Sequence, residues 1–179
     1  MRPSPACGAV NITVDLADGA RRLLSGAGVP DTANALTNAV GIAVDETNDR
    51  AIVANSTSSV TSALIAASLD SGLRTIFSAE GVPNTVNLVV DPSVLMVDQA
   101  RNRAFVMDRL RGSLLGVDLS TGARTVISGG PAYDGDNPFD VPTGIAYDGA
   151  RDVVYVLNGN AAAVLAVDVP TGQRVYVLR

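Results

Sequence analysis

The sequence predicts an all-β fold made of repeated four-stranded units, and three observations support this prediction. Similar segments recur about every 50 residues, the apolar runs are short and rich in β-branched residues, and Gly, Asp, Asn and Pro separate these runs. No run of about ten residues or more carries the 3.6-residue period of an amphipathic helix. The 179-residue chain is 47% apolar and 17% charged, which is typical of a folded domain.

The repeat contains two recurring elements. Copies of the first element, VDLADGARRLLSG and its relatives, lie at 14–26, 67–79, 117–129 and 167–179. The second element, GIAVDETNDRAIVAN and its relatives, lies at 41–55, 94–108 and 144–158. The turn glycines of the first element are 53, 50 and 50 residues apart: Gly19, Gly72, Gly122 and Gly172. Repetition this regular indicates copies of one structural unit.

Each unit predicts four short strands. In the third unit the strands are GIAYD, DVVYVLN, AVLAVDV and RVYVLR, and the turn between the last two contains Gly172. Four strands in about 50 residues are typical of a β-propeller blade. The prediction is a β-propeller of about three and a half blades, with an N-terminal extension at 1–9, a half-blade at 10–26 and blades at 40–80, 93–130 and 143–179.

Three and a half blades make only a partial ring, because propellers normally have about 4–8 blades. An incomplete ring leaves apolar faces and strand edges uncovered. We expect either that the segment belongs to a longer propeller or that two copies associate. We favour the longer propeller, because two half-blades that meet lack their inner strands.

The repeated charged residues predict turn and surface roles. Six aspartates end strands before turns, where a carboxylate accepts backbone N–H bonds: Asp15, Asp45, Asp98, Asp118, Asp148 and Asp168. Four arginines recur just after the turn glycines, and we expect them to cover the outer face of a neighbouring blade: Arg21, Arg74, Arg124 and Arg174.

Composition excludes several classes of function. The chain has no His, which removes Ser–His–Asp and Cys–His nucleophiles and histidine metal ligands, and its one cysteine, Cys7, cannot form an internal disulfide. Its net charge is −5 and it has no basic stripe, so we expect no nucleic-acid partner. No apolar run is long enough for a membrane span. We expect an extracellular or periplasmic protein, although residues 1–10 lack the apolar core of a signal peptide.

The pattern P-x-G-I-A-x-D, R-x-V-V-x-N/D, L-x-x-V-D-x-x-T-G resembles the NHL-repeat and the gluconolactonase/strictosidine synthase-like propellers. It is similar above all to repeat arrays of bacterial proteins of unknown function. The resemblance covers about residues 10–179. It implies a propeller fold and does not select one activity.

In the lactonases of that superfamily a divalent metal lies on the propeller axis. The resemblance implies that Asp108 occupies the position of one metal ligand, with Asn55 and Asn158 at the equivalent positions of the other blades. A second lactonase ligand is an Asn that precedes the G-I/L-A strand, and those positions hold Val40, Ser93 and Thr143 here. Asp108 is therefore either a metal ligand or a cap for a loop.

Two further groups are candidate binding residues. Asp134, Asp136 and Asp140 lie in one long connection, where carboxylates suit a hard cation such as Ca²⁺, or belong simply to a solvated loop. Arg109 and Arg111 flank Asp108 and either bind an anionic ligand or pair with neighbouring acids.

These observations leave two classes of function. The first is a non-enzymatic scaffold that binds a protein or glycan ligand at Asn55, Asp108, Arg109, Arg111 and Asn158. It requires no cofactor. The second is a metal-dependent lactonase-type hydrolase that uses Ca²⁺ or another divalent metal.

Overall fold

The computed structural model describes residues 10–26, 28–57, 62–130 and 137–178. These residues form fourteen β-strands and two single-turn 3-10 helices, Glu46–Asn48 and Gln99–Arg101. The strands are β1 Val10–Val14, β2 Arg21–Gly26, β3 Ala39–Asp45, β4 Arg50–Asn55, β5 Ala63–Ser68, β6 Arg74–Ala79, β7 Pro92–Asp98, β8 Arg103–Asp108, β9 Ser113–Asp118, β10 Arg124–Gly129, β11 Pro142–Asp148, β12 Val153–Asn158, β13 Ala163–Asp168 and β14 Arg174–Leu178.

The strands form four antiparallel sheets in which each strand pairs with the next one along the chain. β1 and β2 form a two-stranded sheet, the half-blade; β3–β6 form blade A, β7–β10 form blade B and β11–β14 form blade C. The first strands of the blades contact one another in order, with β7 between β3 and β11. The predicted all-β fold of three and a half propeller blades is confirmed, and the described strands do not close a ring.

The core lies between the blades, because each sheet presents apolar side chains on two faces. We call the face toward the preceding blade the front face and the opposite one the back face. The back face of blade A, with Ile52 and Leu64, packs on the front face of blade B, with Val106 and Leu115. The back face of blade B, with Phe105, Met107 and Leu114, packs in the same way on blade C, with Val154, Val156, Leu165 and Val167. Burial on two faces explains why these strands are nearly continuous apolar runs.

The two outermost faces of the arc each have an exposed part, although Val53 and Ile65 on the front face of blade A are buried in a cluster with Leu36. On the front face of blade A, Ile42 is 55% exposed, whereas the equivalent Leu95 of blade B is only 7% exposed. On the back face of blade C, Leu157 is 47% exposed, whereas the equivalent Met107 is fully buried. Equivalent positions therefore differ in burial because a neighbouring blade covers one and not the other.

The turn between the third and fourth strands of a blade touches the preceding sheet. Gly72 and Gly122 have φ near +74°, and a Cβ atom at these positions would lie 2.0 Å from the Leu24 carbonyl oxygen and 2.3 Å from that of Phe77. Only glycine fits this conformation and this approach. The turn also follows the predicted chemistry, since the Asp118 Oδ1 atom accepts hydrogen bonds from the backbone N–H groups of Ser120 at 3.0 Å and Thr121 at 2.8 Å.

Arg74 and Arg124 do not lie on an outer face as the sequence predicted, because their guanidinium groups are buried in the loop that enters their own blade. Arg124 donates to five backbone carbonyls, those of Ala79, Val82, Asn84, Val86 and Asn87. Arg74 donates to four carbonyls of the preceding connection, at Val29, Asp31, Ala33 and Asn34. The prediction was wrong for these two arginines. Their carbonyl partners lie 37–45 residues earlier in the chain, and nothing in the local sequence marks them as partners.

Each buried arginine also donates to a serine hydroxyl of the preceding sheet. Arg124 Nη1 lies 2.6 Å from Ser78 Oγ, and Arg74 Nη1 lies 2.7 Å from Ser25 Oγ. Burial lowers the pKa of the Arg124 guanidinium, although the group stays charged at any ordinary pH. Each arginine thus donates hydrogen bonds to loop carbonyls that do not pair with a β-strand.

We expect Arg124→Ala to lower the free energy of unfolding by about 3–5 kcal/mol, because five loop carbonyls and the buried Ser78 hydroxyl lose one shared charged donor. Arg21 occupies the same repeat position in the half-blade but is exposed, so Arg21→Ala should change stability by no more than about 0.5 kcal/mol. Urea unfolding followed by circular dichroism measures both variants. Equal losses of unfolding free energy for the two substitutions would contradict a stabilising role of the Arg124 hydrogen bonds.

Candidate ligand-binding rim

The candidate residues lie on one rim of the sheets, where the second strand of each blade turns into the third. Asn55, Asp108 and Asn158 are the last residues of β4, β8 and β12, and they occupy equivalent positions in the three blades. All three side chains are buried, at 4%, 0% and 0% exposure. The sequence therefore located equivalent residues correctly, and the structure shows them covered by protein.

These three side chains bind the loop that leads into the first strand of the same blade. Asn55 Oδ1 accepts a hydrogen bond from the backbone N–H of Asn38 at 3.0 Å, and Asn158 Oδ1 accepts one from the backbone N–H of Asp140 at 3.1 Å. The Asn158 side-chain amide also donates to the Pro138 carbonyl at 2.9 Å. Each residue thereby fixes the entry of its blade.

Asp108 has the same role with a charged group. Its carboxylate accepts hydrogen bonds from the backbone N–H groups of Val90 at 2.7 Å, Asp91 at 3.3 Å and Arg111 at 3.1 Å. Three N–H donors meet the negative charge where water is excluded. Asp108 therefore caps two loops at once, and its assignment as a metal ligand stays a prediction.

Arg109 joins blades A and B at the rim. Its guanidinium makes two hydrogen bonds of 3.1 Å with the Asp91 carboxylate, which also accepts from Ser56 Oγ at 2.6 Å. Burial would raise the pKa of Asp91, but the hydrogen bonds from Arg109 and Ser56 and the charge of Arg109 outweigh it and hold the pKa below its ordinary value. Arg109 thus pairs with a neighbouring acid, one of the two outcomes that the sequence left open.

The tip of the β8–β9 turn projects into solvent. Leu110 is 67% exposed, and Arg111 beside it is exposed as well. Among the described residues no acceptor for the Arg111 side chain is found. The rim therefore offers an apolar side chain next to a cation.

Of the remaining candidate metal ligands, the structure describes only Asp140. Asp140 Oδ1 accepts from the Asn160 side-chain amide at 3.1 Å, whereas Asp134 and Asp136 lie outside the described residues. Within the described ranges no three Asp, Glu, His or Cys side chains form a group with the geometry of a metal site.

A cavity of about 450 Å³ opens beside Asn55 on the front side of blade A. Its walls carry amide and hydroxyl groups from Asn34, Thr37, Asn55 and Thr57, and its floor is apolar. The cavity suits neutral, hydrogen-bonding groups, because the described residues that line it are all uncharged.

Sequence reasoning missed the charged contacts between blades at the opposite rim. Arg103 pairs with Asp98 of its own blade and with Asp152 and Tyr147 of blade C. Burial would lower the pKa of Arg103, but its bonds to Asp152, Tyr147 and Asp98 raise it above the ordinary value. The repeat of Arg50 and Arg103 at equivalent positions was the available signal, but the partner in the next blade cannot be read from it.

A second cavity, of about 510 Å³, lies beside Arg103 between blades B and C. Gly116 and Ile127 line it, and they replace the larger Ala66 and Phe77 of blade A. In blade A the Phe77 ring lies 4.4 Å below the Arg50 guanidinium. A cavity of about 510 Å³ also lies at the equivalent place of blade A, beside Arg50 and Ala66, so the cavity is a repeated feature of the blades.

Comparison with known proteins identifies the class of fold. No protein-family model and no curated protein sequence matches the chain. Solved structures do match it: a chain of a nidogen/laminin complex (TM-score 0.56, 16% identity), a streptogramin B lyase (0.56, 12%) and the hydrazine synthase of Kuenenia stuttgartiensis (0.58, 16%). They cover 77%, 77% and 79% of this chain, and the chain spans 47%, 39% and 35% of theirs, less than half in each case.

At these identities the likeness establishes the fold, which is that of a β-propeller. The described residues contain no helix that is long and apolar enough to cross a membrane.

We expect acid to destabilise the protein partly through Asp91. Because its pKa is lower in the folded chain than in the unfolded chain, the ionised group contributes stability above about pH 4, and this contribution is lost as the pH falls below that value. Asp91→Asn should therefore show a smaller loss of stability between neutral and acidic pH than the unchanged protein. Urea unfolding across this range tests it, with Asp18→Asn as an exposed control. Parallel pH profiles for the unchanged protein and Asp91→Asn would contradict the assignment.

Proposed function

We propose that the protein is a non-enzymatic binding module whose rim of strand connections contacts a protein ligand. The observation that carries this proposal is the exposed Leu110–Arg111 tip of the β8–β9 turn. Arginine is enriched at protein interfaces, and the exposed Leu110 side chain offers apolar area beside it. A glycan bound through the amide and hydroxyl groups near Asn55 is the second form of the same proposal.

The state of the rim carboxylates supports a binding role. The Asp108 carboxylate accepts hydrogen bonds from backbone N–H groups, and the Asp91 carboxylate accepts them from Arg109. The Asp140 carboxylate accepts one from the Asn160 side chain. These groups hold loops in place. A rigid rim of this kind lowers the entropy cost of binding a partner.

Two similar structures also support it. The nidogen/laminin structure is a complex between proteins, and another match is the extracellular domain of a putative one-component system of B. thetaiotaomicron (TM-score 0.54, 16% identity, 82% of this chain and 18% of that one). By analogy we propose an extracellular or periplasmic location for this protein.

The alternative is a metal-dependent hydrolase of the gluconolactonase-like superfamily. It is favoured by the resemblance of the repeat and by the position of Asp108. The streptogramin B lyase among the similar structures is by its name an enzyme on the same fold.

Metal content separates these proposals. For a binding module we expect calcium, manganese and zinc to be far below one equivalent after dialysis, measured by mass spectrometry, and no hydrolysis of a sugar lactone when the metals are added back. Stoichiometric metal that is lost in Asp108→Asn would favour the hydrolase. Asn is the residue found at the equivalent positions 55 and 158, so this variant keeps a capping oxygen.

Rim binding is tested with a labelled peptide rich in glutamate and leucine, followed by fluorescence anisotropy. We expect Arg111→Ala to weaken binding about threefold, because one exposed charge contact is lost. Arg151 is another exposed arginine, in the turn that joins the first two strands of blade C, and Arg151→Ala serves as the control. An equal effect of both variants would show that the peptide responds to overall charge and not to the rim.

A further inference from the structure

The cavity beside Arg103 penetrates between the sheets of blades B and C. It reaches Ile127 on the last strand of blade B and the turn at 169–171 of blade C. Only its outer part recurs in blade A, because the cavity beside Arg50 is lined by residues of blade A alone. Blades B and C each have all four strands, so the cavity does not arise from an uncovered sheet face.

Smaller side chains at two equivalent positions leave this interior space open. Phe77 and Leu119 pack together between blades A and B, where they are 9% and 1% exposed. One blade later the chain has Ile127 and Val169 at these positions, and both are only partly buried. The groups that fill the first interface are therefore missing from the second.

Blade A shows which chemical group suits this space. The Arg50 guanidinium carbon lies 4.4 Å from the centroid of the Phe77 ring. A guanidinium over an aromatic face is a favourable contact, and it is stronger where water is excluded. Arg103 lines the cavity at the position of Arg50, and 21% of its side chain is exposed. An aromatic ring that enters the cavity can therefore contact a cation, as Phe77 does.

The Val169 carbonyl adds a polar requirement. Its counterpart, the Leu119 carbonyl, accepts a hydrogen bond from Arg50 Nη2. Arg103 instead donates to a tyrosine and an aspartate of blade C. Within the described ranges no donor to the Val169 carbonyl is found. A ligand with a hydrogen-bond donor would supply the missing partner.

The charges around the cavity favour a neutral ligand. Arg103 pairs with the carboxylates of Asp98 and Asp152, and Arg101 lies 3.6 Å from that of Asp98. The Asp118 carboxylate also lines the cavity. In the described part of the lining both guanidinium groups thus have a carboxylate partner, and an anion would have to compete with it.

We propose that this cavity binds a small neutral aromatic molecule with a hydrogen-bond donor on its ring, which is the chemistry of a phenol. The ring takes the place that Phe77 has in blade A, beside Arg103, and the hydroxyl donates to the Val169 carbonyl. The volume of about 510 Å³ lies within the range of about 300–1,000 Å³ for small-molecule sites. The site lies on the rim opposite Arg111, so its test is independent of the proposed rim function.

The probes are p-cresol, p-methylanisole, which lacks the hydroxyl donor, and methylcyclohexanol, which lacks the aromatic ring. Two-dimensional NMR of the isotope-labelled chain follows binding at each backbone amide. We expect saturable shifts at Gly116, Ile127 and Thr171. The affinity for p-cresol should be about fivefold higher than for p-methylanisole and about threefold higher than for methylcyclohexanol.

Two substitutions fill the cavity with side chains that the chain itself uses at equivalent positions. Ile127→Phe and Val169→Leu introduce the residues found at positions 77 and 119, and each should weaken p-cresol binding about tenfold. Ile127→Leu conserves the volume and should change the affinity by less than about twofold. Urea unfolding shows whether each variant is folded, and where one filling variant does not fold the other decides.

The proposal is overturned if p-cresol causes no saturable shifts up to its solubility limit. It is also overturned if the shifts occur only at the exposed apolar residues Ile42 and Leu157, because the molecule then binds uncovered sheet faces. Folded filling variants that bind p-cresol as tightly as the unchanged protein would overturn the location. Equal affinities for p-cresol and p-methylanisole would overturn the hydrogen bond to the Val169 carbonyl.

Discussion

The packing of one apolar sheet face on the next is the interaction on which the rest of this structure depends. The back faces of blades A and B are buried on the front faces of the blades that follow them, and the two largest core clusters lie in these interfaces and not within a sheet. A fully buried side chain such as Leu64 or Phe105 stabilises the fold by about 1.5–3 kcal/mol relative to an exposed one. Every other feature keeps the sheets in this arrangement. The buried arginines tie the loops between blades, the turn glycines allow the outer strands to approach, and Asn55, Asp108 and Asn158 fix the entry to each blade.

The same constraint shapes the rim. Charged and amide side chains at the ends of the strands form hydrogen bonds with the loop backbone. Irregular loops between closely packed sheets leave N–H and C=O groups that need such partners. What remains free for recognition is the set of exposed turn tips, and of these the Leu110–Arg111 tip has the clearest binding chemistry. In the proposed binding role, stability and recognition are carried by different residues of the same turn. Asp108 accepts a hydrogen bond from the Arg111 backbone N–H, and the Arg111 side chain is exposed.

Much of the fold follows from the repeat. The 50-residue period, the β-branched runs and the Asp and Gly turns predicted the four-stranded sheets and the number of blades, because these are local or periodic properties of the chain. The candidate site was harder. Asn55, Asp108 and Asn158 were recognised as equivalent, but their burial and their loop partners 17–20 residues away were not. The sequence analysis predicted Arg74 and Arg124 on the wrong surface, since nothing local to Arg124 marks the carbonyls of residues 79–87 as its partners.

The sequence by itself determined the repeating unit, the turn chemistry and the exclusion of histidine-based catalysis, because these depend on residue type and spacing. The tertiary structure decided which copies of a repeated residue are buried. Arg124 is buried and Arg21 is exposed at equivalent positions, and Met107 and Leu157 differ in the same way. The physical reason is that burial is a property of the neighbour, and a repeat specifies identical units without specifying which of them has one.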